Sequence, residues 1–169
     1  MIWPENFRKG EKMELQVTNP ETGETRLDLS EDFLTELTTQ TLLKKELLSR
    51  IDNLNLSADS KALLYKMAGT AMKVGATVVK IGHKILEVVL QLVSRFPNAS
   101  FGLIFGAIAG ALVGGVPLIG FVLGPVVTPL LAAFGLLMGA KADFADAALE
   151  GRIMEAVATF DPLKGGAVD

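Results

Sequence analysis

The sequence predicts an all-α membrane protein built around a transmembrane helical hairpin at residues 100–140. Residues 101–140 form a run of forty without a charged side chain, and one transmembrane helix needs about 20 predominantly apolar residues. Gly114, Gly115 and Pro117 interrupt the run near its middle, where glycine and proline weaken a helix. The mean hydropathy of +0.41 is high for a globular protein. We therefore expect two apolar arms, at about residues 100–116 and 118–140.

The N-terminal region, residues 1–57, begins with a predicted small β-hairpin. Residues 13–18 and 25–29 alternate apolar and polar side chains on either side of the turn formers Asn19, Pro20 and Gly23. A hairpin of two strands is only marginally stable in water. We therefore expect it to lean on a helix or to pair with a neighbouring copy.

A first amphipathic helix is predicted from Ser30 to about Asn53. Ser30 is a suitable N-cap, and the acidic Glu31 and Asp32 follow in the first turn, where the helix dipole favours negative charge. Apolar residues then recur at helical spacing. The charged residues of this helix are expected to form a solvated face.

A long apolar helix is predicted within residues 58–99, ending at about residue 96. Its polar residues recur in alternating steps of four and three, which places them on one narrow seam. The seam contains Lys66, Lys73, Thr77, Lys80, Lys84, Glu87 and Gln91. Three interpretations remain open: a solvent-facing stripe in a helix bundle, a helix lying on an anionic membrane surface, and the lining of a pore.

The hairpin carries glycines at regular four-residue steps, first as a set of four and then as two pairs. These positions are Gly102, Gly106, Gly110 and Gly114, followed by Gly120 with Gly124 and Gly135 with Gly139. Such faces let helix backbones approach closely in lipid. The pattern resembles the glycine zippers of oligomeric membrane channels and pore-forming proteins. This resemblance implies close helix packing between copies and extends over about a quarter of the chain.

The second arm contains a predicted hinge. Pro125 and Pro129 stand four residues apart with Thr128 between them. Proline within a transmembrane helix frees carbonyl groups, which a threonine or a neighbouring helix can satisfy. Together with Pro117 at the turn and Gly124, these residues form a candidate hinge or constriction; the alternative is a static kink.

The distribution of charge predicts the topology. Residues 61–100 carry six basic side chains and one acidic, whereas residues 1–60 carry seven basic and twelve acidic. Because the basic segment precedes the first arm, the positive-inside rule places both termini in the cytoplasm. The N-terminus has no apolar core of the secretory type. Residues 141–169 are expected to form a cytoplasmic helix, projecting from the second arm to about Phe160, and a tail.

The sequence offers little for catalysis. The chain has no cysteine and a single histidine, His83; Glu87 lies one turn further on, but both residues fit an ordinary helix surface. Phosphate-binding loops, nucleophile elbows and metal-ligand clusters are not found in the sequence. We therefore predict no enzymatic activity, no cofactor and no metal. The net charge of −3 argues against nucleic acid as a partner.

Together these patterns predict a homo-oligomeric pore or channel integral to a membrane. Its partners are the lipid bilayer and copies of itself, with a cytoplasmic protein as a further candidate. In a microbial cell such a pore would act as a membrane-permeabilising effector or toxin. Two alternatives remain open: a non-conducting, membrane-anchored scaffold or adaptor, and a soluble oligomer that buries the hairpin in its core.

Overall fold

The structure is a computed structural model that describes residues 12–19, 23–74, 77–134 and 147–164, with the backbone alone for residues 12–29, 74 and 164. The described chain is mostly helical, as predicted. In chain order its elements are β1 (Lys12–Asn19), β2 (Gly23–Ser30), α1 (Glu31–Thr38), α2 (Lys44–Asp52), α3 (Ala58–Ala68), β3 (Met72–Val74), β4 (Thr77–Val79), α4 (Ile81–Arg95), α5 (Phe101–Gly115), α6 (Pro117–Ala133), α7 (Ala147–Ala158) and a 3₁₀ helix (Asp161–Lys164).

Strands β1 and β2 form the predicted N-terminal β-hairpin. They pair antiparallel from Lys12 opposite Ser30 to Asn19 opposite Gly23. Strand β2 runs directly into α1, where the Ser30 hydroxyl accepts a hydrogen bond of 3.2 Å from the amide of Phe33. The hairpin lies beside β3, α1 and the C-terminal 3₁₀ helix, so elements of the same chain support it.

The prediction of one amphipathic helix from Ser30 to Asn53 is wrong, because the chain leaves the helix after Thr38. The hydroxyls of Thr38 and Thr39 donate to the carbonyls of Leu34 and Thr35 at 2.9 and 2.6 Å. Such bonds offer the backbone an alternative to the helical ladder, and β-branched residues lower helix propensity. A connector without helical structure, residues 39–43, therefore separates α1 from α2.

The prediction of one long helix over residues 58–96 is also wrong. Helix α3 ends at Ala68 with Gly69 as its C-cap, a short antiparallel pair of strands follows, and α4 begins at Ile81. The β-branched run of Thr77, Val78 and Val79 favours a strand over a helix. The chain therefore reverses between α3 and α4, and the two helices pack against each other.

Helices α5 and α6 form the predicted hairpin, and they turn over a single residue. The amide of Val116 donates to Leu112 at the end of α5, and its carbonyl accepts from Gly120 in the first turn of α6, each at 2.9 Å. Pro117 occupies the first position of α6, where its missing N–H leaves no helical bond unmade. The rest of the predicted second arm, residues 135–140, lies outside the described residues.

The facing sides of this hairpin form the centre of the core. Its fully buried side chains are Ile104, Phe105, Ile108 and Leu112 of α5, and Ile119, Leu123, Val127 and Leu130 of α6. Helix α3 packs on α6, whereas α4 and α7 pack on α5. In the ranges that the structure describes, no helix combines the length and apolar character needed to cross a membrane.

The C-terminal helix is present but does not project from the second arm as predicted. Helix α7 packs against α5 and α4, because its apolar residues Leu149 and Ile153 share a face and are buried. Phe160, just after α7, is buried as well. This segment therefore covers part of the first arm.

Candidate membrane-active hairpin

The open end of the hairpin is closed by three phenylalanines. The rings of Phe101 and Phe105 stack with centroids 5.7 Å apart, and Phe134 meets both edge-on at 6.2 and 5.7 Å. Aromatic pairs of this kind add about 0.5–1.5 kcal/mol beyond their buried area. The cluster therefore fixes the start of α5 against the end of α6.

Three of the zipper glycines lie inside the hairpin and hold its two arms close together. A Cβ on Gly102 would lie 3.3 Å from Cγ of Phe134, and one on Gly110 would lie 3.8 Å from a methyl group of Leu131. A Cβ on Gly120 would overlap the carbonyl oxygen of Val113. Close packing by glycine is thus present within one chain.

Two other zipper glycines face open space. A Cβ on Gly114 or on Gly124 would meet no atom within 4 Å. Gly106 is half-buried, while Gly135 and Gly139 lie outside the described residues. Gly114 and Gly124 are therefore two positions at which a further helix could approach the hairpin closely.

One face of α6, which we call the α6 outer face, is exposed and uncharged. It consists of Pro117, Phe121, Pro125, Thr128 and Pro129. Phe121 is 38% exposed. Helix α6 continues through both internal prolines, whose missing amide protons leave two carbonyls of the helical ladder unpaired. The predicted hinge residues thus lie on the outside of the hairpin, beside the open Gly124.

Among the residues that the structure describes, the contacts that hold the hairpin in the fold are apolar. Between residues that the structure describes, no hydrogen bond or ion pair joins α5 or α6 to another helix or strand. The Ser100 hydroxyl caps α5 by accepting from the amide of Leu103 at 3.1 Å, which is a local bond. Release of the hairpin from its cover would therefore break no polar interaction between these elements.

No protein-family model, no curated protein and no solved structure matches this chain.

The predicted polar seam does not form one helix face, because the helix that carried it is interrupted. Lys66 lies on α3, Lys73 on β3, Thr77 on β4 and Lys80 just before α4. The remaining seam residues are Lys84, Glu87 and Gln91, all on α4. Gln91 is exposed, whereas Glu87 is buried. The seam therefore separates into exposed lysines and a buried cluster.

This cluster, which we call the α4 clasp, consists of the buried His83 and Glu87 and the half-buried Lys84. Oε1 of Glu87 accepts from the amide of Leu42 at 2.8 Å, and Nε2 of His83 lies 2.8 Å from the carbonyl oxygen of Leu42. Nε2 also lies 3.0 Å from Oε1 of Glu87. Since a carbonyl oxygen only accepts, the network assigns a proton to Nε2. Two side chains thus hold both backbone groups of one connector residue.

Lys84 extends the clasp to the start of the connector. Its Nζ donates to the carbonyl of Thr39 at 3.2 Å and lies 3.8 Å from Oε2 of Glu87. That oxygen is buried and makes no hydrogen bond to any described residue. The expectation that His83 and Glu87 lie on a helix surface is wrong, since they are 2% and 5% exposed.

The clasp fastens the chain and does not form an open chemical site. The polar atoms of His83 and Glu87 are engaged by the connector backbone and by each other. Within the described ranges, no three His, Cys, Asp or Glu side chains gather into a group that could hold a metal ion. Sequence reasoning noted the pair but missed Leu42, because a backbone partner 41 residues away leaves no signal in the sequence.

Proposed function

We propose that this chain is a membrane-permeabilising protein that stores an uncharged helical hairpin within a helical fold and transfers it to a bilayer. In the membrane, copies would pack through the glycine faces and form a pore. Both termini would remain on the cytoplasmic side, because the two ends of the hairpin lie on one side and the basic segment precedes it.

The observation that carries this proposal is the apolar attachment of α5 and α6 to the other described helices. Lipid tails are as apolar as leucine, so burial against protein and burial against lipid are nearly equivalent for such side chains. Transfer of a charged or hydrogen-bonded helix would cost several kcal/mol for each polar group left unpaired. Among the described residues, the hairpin makes no such polar contact with its neighbours. Its helical backbone pairs internally except at the carbonyls freed by Pro125 and Pro129, which a threonine or a neighbouring helix can satisfy in a membrane.

The length of the uncharged sequence supports the same proposal. Residues 135–140 continue the run beyond α6 without a charge. A helix over residues 117–140 would be roughly 36 Å long, which exceeds the hydrocarbon thickness of about 30 Å. The first arm, residues 100–116, is at the lower end of the length that spans a bilayer. We propose that the second arm lengthens on transfer.

The open glycines and the α6 outer face support contact with a further surface. Gly114 and Gly124 accept a close neighbour without a steric conflict, and the uncharged outer face can contact lipid or another copy. That face also suits the two alternatives, a non-conducting membrane anchor and a soluble oligomer. Dye release combined with membrane fractionation separates all three.

The test combines dye release with membrane fractionation. Purified full-length protein is added to vesicles of phosphatidylcholine, with and without phosphatidylglycerol, that contain a self-quenched dye. We expect dye release, stronger with the anionic lipid, and protein that stays in the membrane pellet after an alkaline carbonate wash. Retention without release would favour the anchor. Complete recovery in the wash, as a discrete oligomer, would favour the soluble alternative and overturn the proposal.

A glycine variant tests whether release depends on helix packing. Gly114→Leu adds a side chain where the fold has open space, so folding is retained while close approach of a second helix is blocked. We expect at least a fivefold loss of dye release. The matched control is Gly151→Leu, also in open space but on α7, which should release dye as the unmodified protein does.

A further inference from the structure

Two recesses on the surface of this protein are lined by charges of opposite sign. The acidic recess, of about 430 Å³, lies between α5 and α7, and its charged lining residues are Glu150 and Asp161. The basic recess, of about 230 Å³, lies where the end of α1 meets β4 and the start of α4, and its charged lining residues are Lys80 and Lys84. Each recess therefore presents a single sign of charge.

A large apolar side chain is exposed at each recess. Met154 lines the acidic recess and is 67% exposed, and Val78 lines the basic recess and is 55% exposed. The cross-strand neighbour of Val78 is Lys73, which is exposed and adds to the positive charge there. Exposed apolar side chains with a polar rim are typical of surfaces that bind another protein.

Glu150 and Lys80 are both exposed, and neither forms a salt bridge with another described residue. Each side chain could therefore form an ion pair with a partner without giving up an existing ion pair to a described residue. Complementary potentials steer partners together and fix their register. Every copy of the chain carries both recesses, so the basic recess of one copy is complementary in charge to the acidic recess of another.

We infer that a second copy of this chain is the partner, and that its basic recess docks on the acidic recess. In this contact, Met154 of one copy packs next to Val78 of the other. Glu150 of the first copy then faces Lys80 of the second. Two different surfaces meet, so the contact runs head to tail and leads to a ring when the rotation between copies closes. This inference deepens the proposed function, which requires association of copies, yet the contact itself needs no lipid.

Charge reversal tests the contact in solution. Sedimentation of the full chain without lipid should show self-association that weakens with added salt. Glu150→Lys and Lys80→Glu should each weaken it at least tenfold, since like charges then face each other. An equimolar mixture of the two variants should recover association with the variants alternating, because both the unmodified pair and the reversed pair between them are complementary. Circular dichroism verifies that both variants are folded.

Matched controls use exposed charges on α2 that line neither recess. Glu46→Lys and Lys45→Glu should associate as the unmodified chain does. The inference is overturned if the chain is monomeric at all concentrations, if single reversals leave association unchanged, or if the mixture stays monomeric. Dye release that persists without association in solution would overturn this contact while leaving the proposed pore intact.

Discussion

Two glycines of α6 that look alike in the sequence have opposite requirements in the fold. An added Cβ at Gly120 would overlap the carbonyl oxygen of Val113, whereas one at Gly124 would meet nothing within 4 Å. We expect Gly120→Ala to lower the free energy of unfolding by about 1–3 kcal/mol through overpacking. Gly124→Ala should raise it by about 0.5–1 kcal/mol, because alanine is the better helix former. Urea unfolding of both variants measures the contrast, and equal effects would contradict the hairpin geometry.

The clasp residue Glu87 leads to a second prediction at the scale of a single residue. Removal of its carboxylate in Glu87→Ala leaves the Leu42 amide without its partner in a buried site. We expect the free energy of unfolding to fall by about 2–4 kcal/mol, since an unpaired buried donor keeps its full desolvation cost. Gln91→Ala, one turn further along α4 and exposed, is the control and should change it by less than about 0.5 kcal/mol.

At the scale of single residues, the sequence indicates which side chains can meet but not what surrounds them in the fold. The spacing of His83 and Glu87 shows that they can meet on a helix, as they do at 3.0 Å. Their burial depends on the connector that crosses α4, and that contact joins residues more than forty positions apart. The same limit applies to the glycines, whose regular spacing does not distinguish those inside the hairpin from those facing outward.

At the scale of elements, apolar periodicity predicted helices more successfully than their ends. The helix breaks after Thr38 and Ala68 follow local chemistry, namely hydroxyl-to-carbonyl bonds and a glycine cap. Both signals are present in the sequence, but an apolar pattern that continues across them suggests one helix. The hairpin was predictable because Gly114 to Pro117 interrupts an otherwise uniform run.

The hairpin geometry allows a prediction at the same scale. An ideal Cβ on Gly102 lies 3.5 Å from Cβ of Phe134, at the short end of the range of about 3.5–4.5 Å for a disulfide. Because the chain has no cysteine, Gly102→Cys with Phe134→Cys should form an intramolecular disulfide under mild oxidation, detectable by mass spectrometry. Gly114→Cys with Phe134→Cys is the control, since Gly114 lies roughly 18 Å further along α5. Bond formation in the control alone would contradict the antiparallel arrangement of the arms.

At the scale of the whole molecule, an uncharged hairpin is compatible with both lipid and a protein cover. A helix that is apolar all round is buried somewhere, and sequence alone does not say in what. Here α3, α4 and α7 supply the cover. Each of them carries charged residues on its exposed side, so these helices can face water while their apolar sides meet the hairpin. The proposed transfer to a bilayer is then a competition between this cover and lipid.

That competition predicts that a weaker cover makes the protein more active on membranes. Ile153 lies on the face of α7 that packs on α5 and is 5% exposed. Ile153→Ala should lower the free energy of unfolding by about 2–5 kcal/mol. If the hairpin leaves its cover before it enters lipid, the same variant should release vesicle dye several times faster, because the cost of exposing α5 is smaller.

The neighbouring residue provides the control for this last prediction. Arg152 is 54% exposed and, among the described residues, pairs with the exposed Glu155 at 3.4 Å, an interaction worth little in water. Arg152→Ala should therefore leave both the stability and the rate of dye release close to those of the unmodified chain. A destabilised Ile153→Ala protein that releases dye no faster would show that loss of the α7 cover does not limit insertion. Slower release would indicate that α7 itself takes part in the membrane-bound state.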